Sequence, residues 1–226
     1  MMKAIELYPR SRFASSLSVL CVITAILYFG PSAKAQSSVQ LTAAISSEGA
    51  GIGETSLGDI AADAIRSSSG ADIAVIDSES LRPLRFEKGQ AKVSQLLTVF
   101  SSPTDTVVVM KLKGAVIAAA LEHSVSNLPQ SSPGFLQVSG LAFSLNASSR
   151  PGTRAAMIAV NGNTLDKNAF YAVAMPASLA EGAAGYFLVW PSTVAPSQTG
   201  LKLADSLSSY LAAHPTITPG APRIIL

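Results

Sequence analysis

The side chains that most often carry catalysis are scarce in this chain. Its two histidines, His123 and His214, lie far apart and outside the His-x-His and His-x-x-x-His spacings that hold zinc. A two-metal phosphoesterase needs Asp, His and Asn ligands in short motifs, because two cations must bracket one attacking oxygen. No Asp-x-His, Gly-Asp-x-x-Asp or Gly-Asn-His motif occurs. We therefore expect no metal and no cofactor in this chain, and interpret both histidines as helix-end residues that complement the helix dipole.

Nucleophilic catalysis has equally little support. Serine is abundant, but the chain has no Gly-x-Ser-x-Gly elbow. The glycines of residues 49–53 (GAGIG) lack the lysine of a phosphate-binding loop, so a flexible turn before a helix is the better interpretation. A second glycine turn, EGAAGYF at 181–187, has no polar side chain at its centre, and Tyr186 is interpreted as a core or interface aromatic. The chain is not expected to be catalytic alone.

The elements that must position any site follow from hydrophobic periodicity. Apolar residues from Leu57 to Ile65 recur at helical spacing, with Thr55 or Ser56 as the N-cap and Ser67 to Gly70 as the end. Further helices are predicted at 93–100, from 116 to near 127, and at 201–211. Strands are predicted at 39–45, 71–76, 106–112, 136–145, 154–160 and 170–175, with an Asn-Gly hairpin signal at 161–162. Helices first and hairpins later, without a βαβ rhythm, indicate an α+β domain.

The first residues have the pattern of an export signal. Lys3, Arg10 and Arg12 precede an apolar run, and Ala33-Lys34-Ala35 provides a signal-peptidase site before Gln36. Residues 1–35 are interpreted as a cleaved signal peptide, with an uncleaved anchor as the alternative. Residues 36–50 are then a linker or opening strand, and residues 51–226 one domain. The expected location is periplasmic or extracellular.

The remaining composition excludes several partners. From Gln36 onward there are 12 Lys and Arg against 13 Asp and Glu, a net charge of −1, so nothing indicates nucleic-acid binding. No apolar run after the leader is long enough to span a membrane. The one cysteine, Cys21, lies in the leader, so the fold must rest on an apolar core rather than on disulfides.

Several motifs, in order, resemble one known family. They are GETSLGDIAADAI (53–65, with Asp59 where Asn is usual), ADIAVIDSESLR (71–82), SPTDTVVVMKLKG (102–114), QVSGLAFSL (137–145), NGNTLD (161–166) and FYAVAMPASLAEGAAGYF (170–187). This series resembles the C-terminal domain of the 5'-nucleotidase and UDP-sugar hydrolase family over about 180 residues. The resemblance implies a layered α/β/β/α sandwich.

The resemblance also implies a site, most of which is altered here. In that family an N-terminal two-metal domain hydrolyses the phosphoester, and this domain holds the nucleoside between two aromatic rings. The rings correspond to Pro103 and Ser178, and the aspartate that binds the ribose corresponds to Ala184. Two asparagines correspond to Asp77 and Asp105, and three loop glycines to Ser78, Glu79 and Ser80. Arg82 is kept, so the resemblance implies Arg82, Asp77 and Asp105 as binding residues. We expect Arg82 to pair with Asp77 or Glu79, with phosphate binding as the alternative.

Two functions follow as hypotheses. The first is an exported, non-catalytic binding or interaction module without a metallophosphoesterase domain. The alternative is the substrate-binding half of a split 5'-nucleotidase that works in nucleotide catabolism with a separately encoded, metal-bearing subunit. The partner would be that metallophosphoesterase subunit or another exported protein.

Overall fold

A five-stranded sheet forms the centre of the fold, and smaller sheets of four, three and two strands surround it. The computed structural model describes residues 37–226, so the predicted signal peptide lies outside the described residues. The strands are β1 (Ser38–Leu41), β2 (Ile45–Ser46), β3 (Ile73–Asp77), β4 (Arg85–Phe86), β5 (Gly89–Lys92), β6 (Thr106–Lys113), β7 (Leu136–Ser139), β8 (Leu141–Leu145), β9 (Ala155–Val160), β10 (Asn163–Thr164), β11 (Phe170–Pro176), β12 (Ser197–Lys202), β13 (Thr216–Ile217) and β14 (Ile224–Ile225).

Five α-helices and three 3₁₀ segments connect these strands in the described part of the chain. The helices are α1 (Ser56–Ser69), α2 (Val93–Leu96), α3 (Gly114–Val125), α4 (Ala177–Ala180) and α5 (Leu203–Ala213), and the 3₁₀ segments are Ser78–Ser80, Leu97–Val99 and Ala183–Leu188. Helix α1 has the predicted ends: the Thr55 hydroxyl accepts a hydrogen bond from the Gly58 amide, and Gly70 follows with φ of 66°. None of the helices in residues 37–226 combines the length and the apolarity needed to cross a membrane.

The central sheet has the strand order β12-β6-β11-β3-β7, in which β3 and β11 are parallel and the other pairs antiparallel. Every residue of β3 is buried, as expected for a strand covered on both faces. The four-stranded sheet has the order β10-β9-β8-β14, and the three-stranded sheet has the order β13-β1-β5. The predicted hairpin joins β9 to β10, with positive φ at Asn161 and Gly162.

Two apolar clusters pack against opposite faces of the central sheet. One joins α1 and α5 to sheet residues such as Ala74 and Ile76. The other joins α3 and the four-stranded sheet to the alternate residues Ile73 and Val75. Because successive strand residues point to opposite faces, one strand serves both clusters. The α+β class predicted from the sequence is confirmed, with helices outside and sheets between.

Three local predictions need correction. The helix expected at 93–100 is only α2 followed by a 3₁₀ turn, because Phe100 must leave the helix to form a bridge with Leu81 and become fully buried. The strand expected at 136–145 is two strands, β7 and β8, which Gly140 separates with φ of 77°. The helix expected at 201–211 starts at Leu203, because residues before it form the edge strand β12.

Candidate functional site

A cavity of about 490 Å³ lies where β3 ends, beside the start of α4. We call it the acidic cleft. The residues that line it are Asp77, Glu79, Ser80, Ser101, Ser102, Thr104, Asp105, Ser178, Ala183 and Leu203. Five separate segments of the chain contribute to this set, so the fold, and not one motif, builds the cleft. Three carboxylates and several hydroxyl groups dominate its surface.

Asp77 comes from the buried strand that leads into the cleft. It is the last residue of β3 and only 2% exposed, and the Ser80 hydroxyl donates a 2.7 Å hydrogen bond to Oδ1. Burial raises the pKa of the Asp77 carboxyl, and the Ser80 hydrogen bond opposes that rise. The carboxylate therefore orders its own loop, because Ser80 lies in the 3₁₀ turn that immediately follows β3.

Asp105 lies across the cleft and joins two elements. Its Oδ1 accepts from the Thr106 amide at 2.7 Å, and its Oδ2 accepts from the Ser178 hydroxyl at 2.7 Å. Ser178 is in the first turn of α4, so the contact also places a negative charge near that helix start. The structure thus brings Asp77, Asp105 and Ser178, all singled out from the sequence, around one cavity.

Arg82 does not make the expected ion pair. Among the described residues, the acids that form ion pairs lie next to Arg85 or Arg223, and neither Asp77 nor Glu79 pairs with Arg82. The Arg82 side chain is exposed, and its Nη2 reaches only the Ser101 carbonyl at 3.5 Å. The prediction was wrong because the Asp77 carboxylate accepts its hydrogen bond from the Ser80 hydroxyl, in the turn that follows β3. The Arg82 backbone amide donates to the Val99 carbonyl on the neighbouring segment.

Pro103 and Ala184 lie next to the acidic cleft but do not line it. Pro103 is exposed on the loop between Ser102 and Thr104, and its carbonyl accepts from the Ala204 amide at 3.1 Å. Ala184 is partly buried and packs against the apolar cluster around α3. Neither residue presents a group to the cavity, in which the neighbouring Ala183 takes part.

The EGAAGYF turn is held by contacts with α3. Gly182, Ala184 and Gly185 all have positive φ, at 101°, 53° and 86°. The Ala184 carbonyl accepts a 3.0 Å hydrogen bond from His123 Nε2, whose ring also lies against Gly185. His123 lies in the last turn of α3, as expected from the sequence, and it also holds this turn in place through the Ala184 carbonyl.

Tyr186 completes the turn as a core residue, which confirms the interpretation made from the sequence. It is fully buried, and its hydroxyl donates to the Gly134 carbonyl at 2.8 Å. Its ring stacks on Trp190 with 5.0 Å between centroids and meets His123 edge-on at 4.6 Å. Burial raises the pKa of the Tyr186 phenol well above its ordinary value, so this hydroxyl stays protonated and serves as a donor.

Neither histidine lines the acidic cleft in the described part of the chain. His214 donates from Nδ1 to the Tyr210 carbonyl at 2.8 Å, which caps the end of α5 as predicted. Within residues 37–226, no group of three or more His, Cys, Asp or Glu side chains could hold a metal ion. The acidic cleft offers carboxylates and hydroxyls, which can accept hydrogen bonds and attract cations, and a carboxylate can also act as a general base.

Sequence reasoning missed some lining residues. Ser101 and Thr104 flank a proline in an irregular loop, and Leu203 starts a helix whose register the sequence alone did not give. The only sequence feature that could have indicated Ser101 and Thr104 as lining residues is their position at the SPTD motif. Their hydroxyls add polar groups and no charge, so the cleft remains acidic.

Fold and cleft together define a class: a layered α+β domain that carries a polar cavity at the end of a central strand. Residues 33–189 match the family described as 5'-nucleotidase, C-terminal domain. The chain belongs to this family of 5'-nucleotidase C-terminal domains, as the motif series indicated.

Relatives and solved structures agree with this assignment. The chain is 29% identical to a trifunctional nucleotide phosphoesterase of Bacillus subtilis over 142 residues, which is 59% of this chain and 10% of that protein. It is 32% identical to an apyrase of Aedes albopictus over 121 residues, 50% of this chain and 21% of that one. The crystal structure of a 5'-nucleotidase precursor from Thermus thermophilus matches with a TM-score of 0.76 and 28% identity, covering 84% of this chain and 39% of that one. The chain thus spans well under half of each.

Proposed function

We propose that this protein is an exported binding or interaction module. It has the fold of a nucleotidase C-terminal domain but lacks the side chains that would bind a nucleoside. The observation that supports the proposal most directly is the chemistry of the acidic cleft. Its lining among the described residues includes three carboxylates and neither an aromatic ring nor a Lys, Arg or His. A phosphate dianion would meet like charge there, and a base would find no ring to stack on.

The missing interactions are large enough to abolish useful affinity. Stacking of a base on one aromatic side chain contributes about 1–3 kcal/mol. Pro103 and Ser178 stand where the resemblance places two such rings, so about 2–6 kcal/mol of binding free energy is absent. Since about 1.4 kcal/mol is a factor of ten, the dissociation constant of a micromolar site without these rings would rise to tens of micromolar with the smaller figure and to tens of millimolar with the larger one. Charge repulsion by Glu79 weakens nucleotides further.

Calorimetry tests this proposal directly. The full chain, purified after expression with its own leader, is titrated with adenosine, AMP and UDP-glucose, and assayed for phosphatase activity with Mn²⁺ or Zn²⁺. We expect no binding at millimolar ligand and no hydrolysis. A matched variant, Glu79→Gln, removes one exposed carboxylate from the cleft and is expected to leave both results unchanged. A dissociation constant of about 10 μM or lower for any of these ligands would refute the proposal.

A second candidate function is favoured by the persistence of the cavity itself. A domain retained only for its shape would be free to fill this space, yet about 490 Å³ remains open at the end of β3. The named relatives are a nucleotide phosphoesterase and an apyrase, and both are much longer than this chain. The chain would then supply the binding half of a split 5'-nucleotidase, with the metals on a separate subunit.

Affinity purification separates these two functions. A tagged chain recovered from its native source is examined for co-purifying proteins and for hydrolysis of AMP. A stoichiometric metal-dependent phosphoesterase in the eluate would support the split enzyme, whereas a clean monomer without activity would count against it. The same preparation tests export, because the intact mass should be that of a chain beginning at Gln36 if residues 1–35 are cleaved.

A further inference from the structure

A second cavity with charged walls lies away from the acidic cleft, where α1 and α5 meet the end of the chain. It measures about 240 Å³, and its charged and aromatic lining residues are Asp59, Asp63, Tyr210, His214 and Arg223. Two further lining residues, Thr218 and Gly220, are exposed, so the cavity opens to solvent. We call this cavity the Asp59 pocket. Within the described part of the chain, it shares no lining residue with the acidic cleft.

Arg223 does not neutralise all the acids around this pocket. Its Nη2 is 2.7 Å from Asp63 Oδ2, and its Nη1 donates to the Val138 carbonyl at 2.6 Å. Both ends of the guanidinium therefore already have close partners. Glu54 adds a further negative charge nearby, since its Oε1 accepts from the Arg223 backbone amide at 2.7 Å. With Asp59, three acids surround one arginine, so the pocket has an excess of negative charge.

Asp59 is the acid that lacks a hydrogen-bond donor. It is only 7% exposed, and no described residue donates a hydrogen bond to its buried Oδ1. Arg223 Nη1 is 3.7 Å from this oxygen, which is too far for a hydrogen bond. A buried carboxylate oxygen without a donor is unfavourable. Asn is usual at this position in the family, so the fold does not require the charge, and a donor from outside the chain would pair it.

The remaining walls favour an organic cation with N–H groups. Tyr210 and His214 stack with 4.1 Å between their centroids, and a cation is attracted to the face of such a ring. Ile60 and Ile217 are buried and also line the pocket, which gives an alkyl chain an apolar surface. Rotation of the Asp59 carboxylate about χ2 turns either oxygen toward the pocket. In residues 37–226, no group of three or more His, Cys, Asp or Glu side chains could hold a metal ion, so a metal is the poorer fit.

We propose that the Asp59 pocket binds a protonated primary amine. The ammonium group donates to the Asp59 carboxylate, its charge lies against the Tyr210 ring, and its alkyl chain contacts Ile60 and Ile217. The amine is either a free small molecule or a lysine side chain of another protein, since both present the same group. This inference goes beyond the proposed function and does not depend on what the acidic cleft binds.

A titration of the full chain with n-butylammonium at constant ionic strength tests this inference. Burial raises the pKa of the Asp59 carboxyl to about 8, so the titration is run at about pH 9, where this carboxyl is ionised and an amine with a pKa of about 10.4 is still charged. Proton–carbon NMR follows the methyl groups of Ile60 and Ile217, and the Leu203 methyls report on the acidic cleft. We expect saturable shifts at Ile60 and Ile217 with a dissociation constant below about 10 mM. A higher constant, or shifts confined to Leu203, would overturn the proposal.

Asp59→Asn is the decisive variant, because it removes the charge and introduces the residue that is usual at this position in the family. Loss of a hydrogen bond to a charged group should raise the dissociation constant about tenfold to a hundredfold. Asp205→Asn is the matched control: Asp205 is exposed in the first turn of α5 and lies outside the pocket, so the constant should stay within about twofold of the wild-type value. Equal constants for wild type and D59N would overturn the proposal.

Two further probes use the wild-type chain and therefore do not depend on the folding of D59N. Tetramethylammonium carries the same charge without N–H groups, and its dissociation constant should be at least about tenfold higher than that of n-butylammonium. Equal constants would exclude the hydrogen bond to Asp59. A capped peptide with one central lysine distinguishes the two sources of the amine. A peptide that binds at least as tightly as n-butylammonium would assign the pocket to a protein lysine, and a peptide that binds more weakly would assign it to a free amine.

Discussion

Replacement of Gln137 by methionine should destabilise the domain more than the loss of any surface side chain. Gln137 lies in β7 and is fully buried. Its Oε1 accepts from the Thr55 amide at 2.8 Å and from the Thr55 hydroxyl at 3.1 Å, while Nε2 donates to the Ala50 carbonyl at 3.1 Å and the Gly53 carbonyl at 2.8 Å. One amide therefore ties the turn before α1 to the central sheet.

Methionine keeps the length and most of the volume of this side chain but makes none of the four hydrogen bonds. It leaves two backbone carbonyls and one backbone amide without their partner, and each buried unsatisfied group costs about 1–3 kcal/mol. The turn can open to water at the exposed Gly49, which recovers part of this cost. We expect a loss of about 3–5 kcal/mol, a large part of the roughly 5–15 kcal/mol that is typical of domain stability.

Urea denaturation followed by circular dichroism measures this loss for the full chain. The matched control is Gln130→Met, at an exposed glutamine whose side chain makes no hydrogen bond to the described residues, and its effect should stay within about 0.5 kcal/mol. If Gln137→Met cost less than about 1 kcal/mol, the four bonds would contribute little net stability and the reasoning would fail.

Three further outcomes are expected from the same denaturation assay. Tyr186→Phe removes the hydroxyl that donates to Gly134 and should cost about 1–2 kcal/mol, with the ring stack on Trp190 preserved. Ala184→Gly relieves a left-handed φ of 53° and should stabilise by up to about 1 kcal/mol, whereas Ala184→Val should destabilise. Arg154→Met removes bonds to the last carbonyls of α3 and should cost about 3 kcal/mol, of which Arg154→Lys recovers only part.

The sequence predicts the structure correctly where the structure depends on one short segment of the chain. Helix α1 was predicted with its cap and its end, because Thr55 and Gly70 act through local hydrogen bonds and backbone freedom. The core position of Tyr186 was also predicted, from the apolar residues that follow it. The fold class followed from the order of elements, since each has its own periodicity.

Features that depend on distant partners could not be predicted. Strand β12 carries the polar sequence SQTGLK and is a strand only because β6 offers it an edge. Phe100 looked helical by spacing, but its burial against a distant strand segment ended the helix early. In the candidate site, the sequence singled out Asp77 and Asp105 but did not give their hydrogen-bond partners. Ser80 lies in the turn that follows Asp77, whereas Ser178 reaches Asp105 only through the fold.

The pairing of β1 with β13 has a consequence for how the chain becomes structured after synthesis. Gln40 and Leu41 lie in register with Thr216 and Ile217, and Thr42 bonds to a residue 175 positions away. At about 5–20 residues per second, the ribosome needs roughly 10–35 s to make the intervening chain. The three-stranded sheet stays incomplete for that time. The sheet that joins β1 to β13 can therefore close only after the last residues of the domain have been made.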